Sequence, residues 1–101
     1  MAALQILIGL IITKIEEVHD YIQLVFSDGT TLSIFNNNHY DGGSVLIVEG
    51  KKVVSVEEGD SKVVLTLDDG SCLSIGLSDD DYNGPEAIVL RRVGEFPVVW
   101  S

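Results

Sequence analysis

The chain has 101 residues and a formal net charge of −10, from 6 Lys and Arg against 16 Asp and Glu. A single domain over 1–101 fits that length, and 46% hydrophobic residues with a mean hydropathy of +0.29 exclude a disordered chain. So acidic a chain argues against direct binding to nucleic acid or membrane, and for either plain solubility or a basic protein partner.

The N-terminal stretch MAALQILIGLIITKIEE is apolar, yet its first basic residue is Lys14, so the basic leading region of a signal peptide is missing. Gln5, Thr13 and Lys14 interrupt the run before the roughly 20 apolar residues of a spanning helix are reached. The one cysteine, Cys72, rules out an internal disulfide framework and points to a reducing compartment. A soluble cytoplasmic protein is expected.

An internal repeat organises the chain. Residues 8–34 lie over residues 49–75 with an offset of 41, so that Gly9 falls on Gly50, Glu16-Glu17 on Glu57-Glu58, Asp28-Gly29 on Asp69-Gly70, and Leu32-Ser33-Ile34 on Leu73-Ser74-Ile75. The repeats take in approximately 3–35 and 44–76, leaving 77–101 as a C-terminal extension. Within each unit, Ile22, Leu24 and Phe26, or Val63, Leu65 and Leu67, alternate with other residues, the period-two pattern of a strand with one buried face. Asp-Gly follows each run and predicts a type I′ hairpin turn, with positive φ at both central residues. Ile11–Glu17 and Lys52–Glu58 complete two three-stranded meanders, and Val45–Val48 and Leu4–Leu7 are expected to lead them as further strands.

NNNHYDGG (36–43) reads as the loop joining the units. After the acidic segment SDDDYNGPEA (78–87), EAIVLRR reads as a strand, and VGEFPVVW turns at Gly94 and ends in a short strand that Pro97 marks as an edge. No segment has a helical period. About eight to ten short strands imply an all-β fold, an antiparallel β-sandwich or a small, partly open barrel built from two duplicated β-meanders.

The repeats differ at one place: Ile8, Leu10 and Ile11 stand where the second copy has Glu49, Lys51 and Lys52. Either the C-terminal segment covers these three residues, or they form an apolar interface for self-association or a partner.

Asp79, Asp81, Asn83 and Gly84 match the start of a calcium loop, but Leu90 stands where a bidentate carboxylate is required, and Pro85 interrupts the pattern. His19 and His39, far apart and without a second cysteine, do not form a zinc set. No metal or other cofactor is expected. No G-x-S-x-G or phosphate-cradling glycine loop is present, so no catalytic residues are assigned and an enzyme is not expected. The acidic segment then reads as a solvated turn or as a partner-binding element formed by Asp79, Asp80, Asp81, Tyr82 and Glu86, with Tyr82 as the anchor. Trp100 is expected to close the core.

Small size, an all-β pattern, strong acidity and an acidic loop holding an aromatic together resemble the immunity proteins of bacterial toxin systems, including contact-dependent growth inhibition. The stretch Tyr82 to Ala87 and the VVW ending are similar to small bacterial β-proteins. The resemblance lies in the general character of the whole chain and carries over no functional residue. It implies a protein that neutralises a basic toxin, a nuclease for instance, by covering its cationic cleft with carboxylates in place of phosphates. The alternatives are a homo-oligomeric structural or regulatory β-module, a homodimer for instance, and a small-ligand-binding β-protein.

Overall fold

Ile22, Leu24 and Phe26 turn inward from one strand, and Val63, Leu65 and Leu67 from another, while the residues between them are half exposed. These faces belong to two sheets in the computed structural model, which describes residues 3–19 and 21–100. The first repeat supplies β1 (Ile12–Val18), β2 (Tyr21–Phe26) and β3 (Thr31–Ile34), followed by β4 (Asn38–Tyr40). The second supplies β5 (Val53–Glu58), β6 (Lys62–Leu67) and β7 (Cys72–Gly76), followed by β8 (Ile88–Arg91) and β9 (Val98–Trp100). The order is β1-β2-β3-β8-β9 in the five-stranded sheet and β4-β7-β6-β5 in the four-stranded one, with all pairs antiparallel. The architecture is an all-β sandwich.

The two meanders exchange strands. β4 leaves the first meander and pairs with β7 of the second, whereas β8 leaves the second and pairs with β3 of the first. Equivalent positions fill the shared core: Leu7 and Val48, Ile12 and Val53, Ile15 and Val56, Leu32 and Leu73, Ile34 and Ile75 are all buried. Each large buried aliphatic contributes about 2 kcal/mol by leaving water. A one-residue slip in either meander would turn this set to the solvent.

Three local expectations are corrected. Leu4–Leu7 and Val45–Val48 are not leading strands; Ala3–Leu7 and Val45–Ile47 form 3-10 helices. Three residues per turn place Leu4 above Leu7, and both are buried. Ser44 caps the second helix, its side chain accepting from the Leu46 N–H. The Asp-Gly turns are not type I′. Within these turns only the glycines, Gly29 and Gly70, have positive φ, 88° and 87°. Gly29 N–H donates to Phe26 O and Phe26 N–H to Thr30 O, both repeated at Gly70 and Leu67, as in a three-residue hairpin loop ending in a glycine bulge. Finally, the joining segment is not all loop, because Asn38–Tyr40 pairs with β7 and buries Tyr40. Among the described residues no helix is long and apolar enough to cross a membrane.

Candidate functional site

The registers decide which side chains share an end of the sandwich. The β1–β2 turn at His19, the β5–β6 turn at Gly59–Ser61, the crossover Phe35–Asn37, the segment 77–87 and Trp100 all gather at one end. The Asp-Gly loops and the β8–β9 turn lie at the other. The acidic segment is pinned here by backbone bonds: Leu77 N–H donates to Ser61 O (2.8 Å), Asn37 N–H to Asp81 O (2.9 Å), and Gly76 N–H to Asn37 O (2.9 Å). Asn83 adds a side-chain bond to Phe35 O (3.0 Å), and the buried Asn36 donates to Gly76 O (2.8 Å).

Within this frame the three aspartates part company. Ser78–Asp81 makes one 3-10 turn closed by Asp81 N–H to Ser78 O (2.8 Å), and the Asp81 carboxylate accepts from Ser78 N–H (3.1 Å). It rests against Gly76, where a Cβ would collide with it. Asp81 is therefore a half-buried capping residue, while Asp79 and Asp80 are exposed. Tyr82 is half-buried and packs against the core, as does Trp100. Glu86 lies beyond Gly84–Pro85 and lines a separate cavity of about 320 Å³ with Val18, His19, Tyr21 and Phe35.

Asp79 and Tyr82 instead share a groove of about 650 Å³ with Asp60, Leu77, Gly84, Pro85 and Trp100. Sequence reasoning missed two of these groups. Asp60 sits in the β5–β6 turn, at the position that His19 holds in the first repeat. Trp100 is brought beside the loop because β9 pairs with β8 in the register Ile88 to Trp100, and Ala87 N–H donates to Trp100 O (2.6 Å). The knowledge that β8 and β9 form a hairpin would have placed it.

Charge is unevenly shared between the ends. Among the described residues Lys62 is the one Lys or Arg near the groove, against Glu58, Asp60, Asp79, Asp80 and Glu86; Lys14, Lys51, Lys52, Arg91 and Arg92 lie toward the Asp-Gly end. The ion pairs among the described residues, Lys14 with Glu16, Lys51 with Asp69 and Arg92 with Glu95, involve none of the groove carboxylates. At the Asp-Gly end, hydrogen bonds from Lys51 and then Ser71 hold the Asp69 carboxyl well below its ordinary value, and hydrogen bonds from Thr30 lower that of Asp28.

The calcium-like residues do not converge. Asp81 is engaged with Ser78, and Asn83 donates its amide to Phe35 and Asn37. Among the described residues no group of three or more His, Cys, Asp or Glu is placed to hold a metal ion.

Ile8 and Ile11 are at the opposite end, 45% and 39% exposed, and Leu10 is half-buried against the core. The C-terminal strands do not cover them, because β8 and β9 occupy the far edge of the sheet from β1. The two candidate surfaces are thus distinct. No protein-family model, curated protein or solved structure matches the chain.

Proposed function

We propose that this chain is a binding protein that docks its acidic end on a basic surface of another protein, and that the partner is a bacterial toxin domain, a nuclease whose cationic cleft is blocked. The observation that carries the reading is the segregation of unpaired carboxylates around an aromatic groove. Asp60, Asp79 and Asp80 are exposed and stand outside every ion pair among the described residues. Such a surface attracts a cationic partner at long range and occupies the place of phosphates without chemistry of its own. Tyr82 and Trp100, rigid and partly buried, have the character of interface anchors. Cytoplasmic residence belongs to the same proposal.

The test is co-expression with the product of an adjacent toxin gene. A complex should form, growth arrest should be relieved, and association should slow as salt rises. Asp79→Asn with Asp80→Asn should slow association and flatten that salt dependence. A complex indifferent to salt and to both substitutions would overturn the reading. The exposure of Ile8 and Ile11 favours a second one, a homo-oligomer joined at the opposite end. Sedimentation of the parent and of Ile11→Asp separates the two: only the oligomer would dissociate on substitution.

A further inference from the structure

The groove at the acidic end has a lining of mixed chemistry. Leu77, Tyr82, Pro85 and Trp100 give its lining apolar and aromatic surface, and the exposed Asp60 and Asp79 line it from two separate turns. Its volume, about 650 Å³, lies in the range of small-ligand pockets. Tyr82 is set by its N–H bond to Asp79 O (3.3 Å), and Trp100 by the β8–β9 ladder, so the walls are held by backbone bonds rather than by each other.

Such a site discriminates between occupants. A purely apolar side chain would suit the walls but would strip water from Asp60 and Asp79 with nothing in return. A phosphate or carboxylate would be repelled. A cation is favoured twice, by the negative faces of the two aromatic rings and by the two carboxylates. A guanidinium uses both better than an ammonium does: it is planar and weakly hydrated, it stacks on rings, and its donors diverge toward separate acceptors. We infer that this groove receives an arginine side chain of the protein partner, stacked against Tyr82 and Trp100 with its guanidinium between Asp60 and Asp79. This rests on the docking proposed above and names the contact within it.

Trp100 is the sole tryptophan, so its emission reports the groove directly. The probe is N-acetylarginine methylamide, and its neutral isostere is the citrulline analogue. The arginine probe should give a saturable change in emission, with the citrulline analogue about tenfold weaker or more. Asp60→Asn with Asp79→Asn, both exposed positions that leave the fold intact, should weaken the arginine probe by about tenfold, and Tyr82→Leu by a similar factor. Identical titrations by the two probes, or an arginine response unchanged by the paired Asp→Asn variant, overturn the inference. Failure here is distinct from failure of the docking itself. A salt-sensitive complex with the toxin that ignores Tyr82→Leu would leave the docking standing and remove the arginine contact. Saturable arginine binding with no basic partner complex would do the reverse.

Discussion

Ile11 and Lys52, which hold the same position in the two repeats, are bridged to each other where the edges of the two sheets meet. The bonds around them come in matched pairs. Gly9 N–H donates to Val53 O (2.8 Å) and Gly50 N–H to Ile12 O (2.7 Å), while Ile12 N–H donates to Lys51 O and Val53 N–H to Leu10 O, both at 2.9 Å. A local two-fold axis therefore passes between Ile11 and Lys52. The duplication read in sequence is also a symmetric junction, with an isoleucine facing a lysine across it.

That symmetry predicts matched costs. Gly9 and Gly50 have φ of 91° and 87°, and a Cβ at either would meet nothing within 4 Å. Backbone strain is then the only penalty of Gly9→Ala or Gly50→Ala, about 1–2 kcal/mol each. Urea denaturation of the two variants should give equal losses. A loss at one position and none at the other would deny the equivalence.

A second matched pair sets a pH response. Asp28 and Asp69 are equivalent, and each accepts from the N–H two residues on, Thr30 or Ser71, at 2.9 Å. Both carboxyls are held below the ordinary value of 3.8 in the folded chain. A depressed value means that ionisation favours the fold: the stabilisation is present above about pH 4 and is lost as pH falls through the folded values. Asp28→Asn and Asp69→Asn should each be less stable than the parent near neutral pH, and each deficit should shrink steadily as pH falls below about 4. Chemical denaturation across that range checks this, and a deficit that does not shrink in acid would assign it to packing.

Much of this fold was legible because strand burial has a period of two and the repeat supplied each pattern twice. Ile22, Leu24 and Phe26 are inward for the reason their spacing implies, and Val63, Leu65 and Leu67 repeat it. Leu4 and Leu7 were misread as strand because one short turn holds too few residues to separate a period of three from a period of two. The acidic loop was only half legible. Three adjacent aspartates are chemically alike in sequence, and what separates Asp81 from Asp79 is the bare Cα of Gly76 at the end of β7 and the Asn37 N–H of the crossover, which the strand pairing brings to the same place. The groove was hidden for the same reason: Asp60, Tyr82 and Trp100 belong to three segments that only the strand exchange brings together.

The calcium-like start of the acidic segment should be silent. Its second ligand position, Asp81, already accepts from Ser78 N–H, and Asn83 turns its amide toward Phe35 and Asn37. A calcium ion would have to break these bonds before gaining any of its own. Calcium at about millimolar concentration should leave the melting temperature unchanged. A rise of many degrees with calcium and none with magnesium would mean that the loop rearranges into a true site.

The aspartates also predict a division of labour within four residues. Asp81→Ala removes the acceptor for Ser78 N–H at the head of the turn and should cost about 1 kcal/mol, as loss of a helix cap does. Gly76→Ala should act on the same contact from the other side, since its Cβ would displace the Asp81 carboxylate. Asp79→Asn and Asp80→Asn touch no such bond and should stay within about ±0.5 kcal/mol. The effects of Asp81→Ala and Gly76→Ala should not add, because either one already breaks the packing of carboxylate on strand. A double-mutant cycle by urea denaturation measures this coupling. Full additivity would mean that Asp81 acts independently of Gly76, and would return all three aspartates to the exposed surface that their adjacency in sequence implies.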